Sequence, residues 1–443
     1  MNDIQPGLLA MDGPEVVEAS ETFSVSDARL FRRIEIGGRE VVSASIPAPP
    51  PGESDLKGHW WRSFLAGIIP TPSVVTGVEL STVDLFCGPG GLAVGFRQLC
   101  AEMGVGVVAE AIVDQDEEAT RVYASNHRAR IRSTDSVSSL VDYSLRGRGA
   151  MAEYLYPPEI IDNAMADLVG RVDVVLAGPP CQGHSNLNNR SRRDDRRNEL
   201  YLTVPAVAVA LQAPIVIIEN VPAVIHDWSE VVPTARRLLE AEGYSVTDGM
   251  ISADDLGWPQ TRRRHFMVAR KDAAPIPLSI IEAALRDDEP RSLWWAIGHW
   301  EDDVAPESPM TQETELSPVN QERIDWLFDN GKYELDLTER PESHRNGTSY
   351  TAVYGRMHAE APAPTITTGF MTPGRGRYVH PTRKRVLTAK EAARLQGFPD
   401  DYTFVTDSGE VPSRGKLAKW IGDAVPMPLG YAAALAALGP NLP

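Results

Sequence analysis

Three cysteines in 443 residues, Cys87, Cys100 and Cys181, are too few for a disulfide framework. Their number is odd and their spacing unpaired, and the chain has few histidines, so no metal site is expected either. A reducing compartment fits, and a nucleophilic thiol requires one. No basic N-terminal segment leads into an apolar stretch, so no signal peptide is expected. Long hydrophobic runs are scarce as well. The most apolar stretch, Val204 to Ile218, is broken by Pro205, Gln212 and Pro214 and is too short to span a bilayer. A membrane partner is therefore not expected. Basic charge is the third shortage, with 43 Lys and Arg against 61 Asp and Glu and a formal net charge of −18. That excludes the broad basic footprint of most nucleic-acid binders. The basic residues are clustered instead, at Arg190–Arg197, Arg262–Arg264 and Arg375–Arg385. Each cluster lies beside a motif, which favours local phosphate contacts with a sharp salt dependence.

Length suggests two to three domains around a large core. Residues 1–77 read as an N-terminal extension with a proline-rich linker, Pro47-Ala48-Pro49-Pro50-Pro51-Gly52. The segment Trp60-Trp61-Arg62-Ser63-Phe64 then reads as docked on the main domain, and nothing in the extension points to a function. Over residues 78–270, apolar strand-like runs alternate with helical patterns. That alternation predicts an α/β fold, a doubly wound, mostly parallel sheet with helices on both faces. Expected strands are Thr82–Phe86, Val107–Val113, Val172–Ala177 and Ile215–Ile218, and the long connection Ser138–Gly170 reads as partly helical. Residues 271–350 are irregular and form a separate small region. The motif pattern resumes over 351–443 and completes the main domain.

The most informative stretch is Gly178-Pro179-Pro180-Cys181-Gln182-Gly183-His184-Ser185. It places a cysteine just past a buried strand, on a loop stiffened by two prolines, where α/β sheets bind ligands. A lone cysteine is usually a small buried hydrophobe. Glu219-Asn220-Val221 and Gln260-Thr261-Arg262-Arg263-Arg264 shift that balance. Arg262 and Arg264 alternate along an expected strand and so point the same way, with Arg263 facing away. Upstream, Asp84-Leu85-Phe86 ends a strand and Gly88-Pro89-Gly90-Gly91 opens a helix, where glycines admit a ligand close to the backbone. Asp114, at the end of the next strand, can accept hydrogen bonds from both ribose hydroxyls of a nucleoside. The glycine spacing is not the dinucleotide fingerprint and no phosphate-binding lysine follows. A nucleoside without a pyrophosphate fits better, and S-adenosylmethionine is such a ligand.

Together these motifs resemble the cytosine-5 DNA methyltransferase family. The resemblance continues through Arg394-Leu395-Gln396-Gly397-Phe398-Pro399 and Ile421-Gly422-Asp423-Ala424-Val425-Pro426, in the family's order, from about Val78 to the end. It implies a class I methyltransferase, Rossmann-like fold with a small target-recognition domain at residues 271–350. Cys181 would be the nucleophile, with Glu219, Arg262 and Arg264 completing the catalytic set. Glu219 would hold cytosine nitrogen 3 and the exocyclic amino group. The arginines would hold the carbonyl oxygen, a phosphate and the catalytic loop. The cofactor set would comprise Asp84, Phe86, Gly88, Pro89, Gly90, Gly91, Asp114, Gln115, Asp135, Ser136, Pro180, Leu200, Asp423 and Ala424. Within it, Phe86 would lie near the adenine, Asp114 at the ribose, Asp135 with Ser136 at the adenine amino group, and Leu200 at the methionine end. The arginine-rich segment Asn186–Asn198 reads as a loop closing on double-stranded DNA, and a flipped base is implied. A cytoplasmic, nucleoid-associated bacterial monomer is expected, with room for a cognate restriction endonuclease.

Three positions depart from the family. His184 stands where a phenylalanine is usual, Gln115 where a bulky residue is common, and Asp423 where asparagine is usual. A carboxylate at 423 would repel a methionine carboxylate or attract a sulfonium. Two alternatives stay open: an enzyme of the same fold acting on RNA or transferring another group, and a catalytically silent DNA-binding regulatory protein.

Overall fold

The computed structural model describes residues 18–180, 200–298, 308–345, 352–439 and 442. Cys181, His184 and the segment Asn186–Asn198, with its arginine cluster, lie outside the described residues.

The described part of the extension opens on an antiparallel meander of β1 (Ala19–Ser26), β2 (Arg29–Ile36) and β3 (Arg39–Pro47). Its hairpins turn at Asp27-Ala28 and Gly37-Gly38, all with positive φ, as tight two-residue turns require. Helix α1 (Leu56–Leu65) follows, capped by Asp55, and β4 (Thr71–Pro72) pairs with β3. On β2, Leu30, Arg32, Ile34 and Ile36 face inward. The apolar three share one core with the main domain. Arg32 is buried with them and bonded to Glu102 Oε2 at 2.8 Å and Glu21 Oε1 at 2.7 Å. Trp60 Nε1 and Tyr431 Oη also donate to Glu102, at 3.1 and 2.7 Å. A buried ion pair stabilises only when its remaining hydrogen-bonding capacity is met. Here it is met by groups from the extension, the main domain and the C-terminal helix together.

The central sheet holds β5 (Glu79–Leu85), β6 (Gly106–Val113), β7 (Ile131–Ser133), β8 (Val174–Ala177), β9 (Ile215–Asn220), β10 (Ser245–Ser252) and β11 (Arg263–Arg270). Their order is β10-β11-β9-β8-β5-β6-β7, parallel from β9 to β7 and antiparallel around β11. Strands β8 and β9 are buried on both faces, which explains their unbroken apolar runs. Val174, Leu176, Ile215 and Ile217 face one core, and Val175, Ala177, Val216 and Ile218 the other.

The first core packs α2 (Gly91–Glu102), α6 (Leu278–Leu285), α7 (Leu293–Ile297) and the C-terminal helices α9 (Ala389–Gln396), α10 (Arg414–Asp423) and α11 (Met427–Leu438). The second packs α4 (Leu200–Leu211) and α5 (Val231–Ala241), while α3 (Glu117–His127) follows β6. Helices α2 and α11 meet backbone to backbone at Gly95, where a Cβ would come within 2.4 Å of Met427 O. The stretch Arg414–Leu438 is long and apolar enough to cross a membrane, but 94% of its apolar window is buried inside the protein.

A small third core joins Ile324 and Leu327 of α8 (Pro318–Asp329) to Leu335, Val353, Tyr354 and Val379. The small lobe thus runs past residue 350. Helices α6 and α7, within 271–350, belong to the first core instead. One further expectation shifts, at the end of β5. The connection 138–170 is partly helical as expected, at Gly149–Met151 and Asn163–Ala166, and it also forms short two-stranded ribbons, Leu145–Arg146 with Glu153–Tyr154 and Val141–Asp142 with Glu159–Ile160. Gly147 and Gly149, both at positive φ, make the turn there. Strand β5 ends one residue early, because Phe86 leaves it at φ 55°.

Candidate active site

The chain runs outward from β5 through β6 to β7, then returns to β8 on the other side of β5. Strands β5 and β8 therefore flank the switch point, where such sheets open a crevice at their C-terminal ends. A cleft of about 1060 Å³ lies there. It exceeds the roughly 300–1,000 Å³ of a single small-molecule site, leaving room for a nucleoside and a base together.

Of the fourteen residues expected at the cofactor, the cleft wall includes all but Gly90. Gly90 sits behind the wall as the N-cap of α2 at φ 101°, packed against Tyr402 and Tyr123. Phe86, in the left-handed region, turns the chain out of β5 into the cleft, a conformation that costs a non-glycine residue about 1–2 kcal/mol. Asp114 receives Gly88 N on Oδ2 at 2.9 Å and Asp116 N on Oδ1 at 2.8 Å. Each of its oxygens keeps a second lone pair for a ligand. Burial raises its pKa, and the two backbone donors oppose that shift. Asp84 is 2% exposed and its Oδ2 has no hydrogen-bond partner. Burial pushes its carboxyl up to about 8, and the neighbouring Asp114 adds to the rise. Asp135 and Gln115 are exposed at the rim, Asp135 with Ser133 Oγ at 3.2 Å.

On the other side of the switch point, β8 leads through Gly178-Pro179-Pro180 towards Cys181. Gly178 N donates to Leu85 O at 3.3 Å. Asn220 Nδ2, buried, donates to Pro179 O at 3.2 Å. Asn220 thus pins the loop that carries the cysteine, a role not expected from the sequence. The signal was its place, next to an acidic residue at a strand end.

Glu219 lies near the end of β9, opposite Phe266 of the antiparallel β11. Because β11 runs the other way, its beginning arrives at the cleft. Arg264 Nε meets Glu219 Oε1 at 2.9 Å, both side chains being about nine-tenths buried. Burial raises the Glu219 pKa, and Arg264 and then Arg262 oppose the shift. Arg262 is buried beside the cleft, where it donates to Ile366 O and, at 3.4 Å, to Asp423 O. Arg263 is exposed.

The remaining motif residues hold the C-terminal segments against this wall. Gln260 Nε2 donates to Leu395 O at 2.8 Å, and its Oε1 accepts from Ile366 N at 3.2 Å. Gln396 Nε2 donates to Ala424 O at 3.3 Å. Gly422 passes so close to Thr368 that a Cβ would lie 2.3 Å from its N. Asp423 turns its carboxylate outward, 57% exposed, with Oδ2 3.2 Å from Lys419 Nζ.

In the cluster Arg375–Arg385, three cations have carboxylate partners within the protein, while Arg375 is exposed. Arg377 pairs with Glu334, Lys384 with Asp329, and Arg385 with Glu391 and Glu313. These cations are matched within the protein because this segment packs into the small lobe and α9. Sequence reading also missed Asp116, Lys416, Lys419, Trp420, Thr367 and Thr368, all of which line the cleft. They come from distant parts of the chain and carry no motif of their own.

A doubly wound sheet with a nucleoside-sized cleft at its switch point, extended by a buried carboxylate–arginine pair, defines a class I methyltransferase. Structural likeness agrees on the fold: the methyltransferase EhMeth of Entamoeba histolytica superposes with a TM-score of 0.52 at 14% identity, over 81% of this chain and 98% of that one. Residues 80–437 match the family described as C-5 cytosine-specific DNA methylase, and the chain belongs to that family. It is 38% identical over 422 residues to the Type II methyltransferase M1.BsuMI of Bacillus subtilis (strain 168), covering 94% of this chain and 95% of that protein. It is 32% identical to the Type II methylase M.HgiDII of Herpetosiphon aurantiacus, over 79% of this chain and 92% of that protein. The chain is thus a DNA (cytosine-5-)-methyltransferase.

Proposed function

We propose that Cys181, Glu219, Arg262 and Arg264 carry the reaction on a cytosine flipped from double-stranded DNA, and that the adjoining half of the cleft holds S-adenosylmethionine. The carrying observation is that one cleft joins Asp84 and Asp114 to Glu219 and Arg264. The residues fit the cofactor. Asp84 offers a buried, unpartnered oxygen, and Asp114 offers free lone pairs beside the glycine turn. Asp114 would hold the ribose, Phe86 the adenine face, Asp135 and Ser136 the adenine edge, and Leu200 the methionine end. Bound there, the cofactor supplies an electrophilic methyl group.

The protein's part is to make carbon-5 nucleophilic. The Cys181 thiolate adds to carbon-6, and the ring's electron pair moves to carbon-5. Glu219 holds nitrogen 3 and the exocyclic amino group as charge develops on the ring. Arg264 orients Glu219, and Arg262 fixes the wall around it, so the donors are in place before charge forms. After carbon-5 is alkylated, loss of its proton to a base expels the Cys181 thiolate and restores the aromatic ring. The enzyme would act in the bacterial cytoplasm on nucleoid DNA, alongside a cognate endonuclease.

Bisulfite sequencing of DNA from cells expressing the protein tests this reading. Protected cytosines at one recurring sequence are expected. Protection that persists with Cys181→Ser would overturn it.

A further inference from the structure

Helix α10 lines the cofactor half of the cleft with Lys416, Lys419 and Trp420. It reaches the acidic turn after β6 at two points. Lys416 Nζ pairs with Glu118, and Trp420 Nε1 donates to Asp116 Oδ2 at 2.8 Å. These residues are four apart and so project from one face of the helix. Lys419, on the same helix, lies close enough to Asp114 to favour its ionised form.

Trp420 is 2% exposed, and its indole N–H is aimed at a carboxylate that works in two directions. Asp116 Oδ1 caps α3 by accepting from Ala119 N at 3.3 Å. The backbone N–H of the same residue donates to Asp114 Oδ1 at 2.8 Å. With Oδ1 on the helix and Oδ2 on the indole, Asp116 is held on both carboxylate oxygens while its backbone N–H donates to Asp114. Gly88 N holds the other oxygen of Asp114 from the opposite side. The Asp114 carboxylate is therefore held in one plane by a chain of hydrogen bonds that begins at a C-terminal tryptophan.

We propose that Trp420 is a positioning residue for the nucleoside's ribose: acting through Asp116, it orients Asp114 to accept from the ribose hydroxyls. The inference rests on Asp114 being the ribose acid, as proposed above. A hydroxyl acceptor has to present its lone pairs in fixed directions, so loss of orientation weakens that contact selectively. Apolar and stacking contacts of the adenine would be unaffected.

The test measures binding, not turnover. The full-length protein is titrated by calorimetry with S-adenosylhomocysteine and with its 2′,3′-dideoxyribose analogue. Trp420→Phe keeps an aromatic ring and removes the N–H. It is expected to weaken S-adenosylhomocysteine by about tenfold, the scale of one hydrogen bond to a charged group, and to leave the 2′,3′-dideoxy analogue nearly unchanged. Equal weakening of both ligands would make Trp420 merely structural and overturn the proposal, as would no weakening of either. If Trp420→Phe does not fold, Asp116→Asn decides on the same criterion, because it keeps an oxygen for the helix cap and turns an amide N–H₂ towards the indole. Asp114→Ala separates the two levels. If it leaves the preference for the ribose hydroxyl intact, the ribose reading itself falls. If it abolishes the preference while Trp420→Phe does not, only the positioning role falls.

Discussion

Arg264 donates to Glu219 across 2.9 Å, from the start of one strand to the end of its antiparallel neighbour. Both side chains are largely buried, so the pair is neither a solvated surface bridge nor free to drift. Removing either partner would leave the other as an uncompensated buried charge, which is strongly unfavourable.

Glu219→Gln keeps the shape and one acceptor but loses the charge. Turnover on duplex DNA should fall by about a hundredfold or more, the usual effect of removing an electrostatic or acid–base group. Affinity for DNA should change little. Single-turnover kinetics with a gel-shift control measure both. A rate near wild type would mean that the Glu219–Arg264 pair only holds the strands together.

Cys181→Ser should abolish methyl transfer in a folded protein, since a hydroxyl is far less nucleophilic than a thiolate at neutral pH. Wild-type protein should be trapped covalently on DNA containing 5-fluorocytosine, because carbon-5 then has no proton to lose. Denaturing electrophoresis reads the adduct. Its formation by Cys181→Ser would move the nucleophile elsewhere.

Asp84 predicts a pH dependence in the ligand-free protein. Its folded pKa is pushed up to about 8 from an ordinary 3.8. The folded state therefore holds a proton that the unfolded chain has released. The associated stability is fully present below the lower value. It declines by at most about 1.4 kcal/mol per pH unit between the two and is lost above the upper one. Asp84→Asn cannot ionise and should lack this decline. Denaturant melts of both proteins from acidic to mildly alkaline pH compare the slopes. Parallel curves would show that Asp84 is ionised in the folded state.

Asp423→Asn restores the residue common in the family. The Asp423 carboxylate points outward and pairs with Lys419. Its effect on cofactor affinity should therefore be small, within a few-fold, as expected of an exposed ion pair. Mass spectrometry of nucleosides from modified DNA should find 5-methyldeoxycytidine with either residue. A different mass would show that another group is transferred.

The motif order made the family legible, and the reason is local. Buried parallel strands write themselves as apolar runs, and the residues at their ends are the ones a switch-point crevice uses. Asp84, Asp114, Pro180 and Glu219 could be read for that reason. In the basic cluster Arg375–Arg385 the sequence shows the cations but not Glu334, Asp329 and Glu391, which fold against three of them. The extension was read as separate because of its proline-rich linker, and its tie to the main domain through Arg32 and Glu102, 70 positions apart, has no local signal.

The sequence by itself determined the sheet's strands, the residues at their ends and the family to which the chain belongs. Those depend on neighbours along the chain and on strand periodicity. Tertiary structure alone decided what meets across long separations. It showed that Asn220 anchors the loop towards Cys181 and that Gly90 stands behind the wall rather than in it. It also brought Trp420 onto Asp116, more than three hundred positions away in the chain. No local pattern encodes that contact. It exists because α11 packs onto α2 and so brings α10, which precedes it, to the cleft where the sheet began.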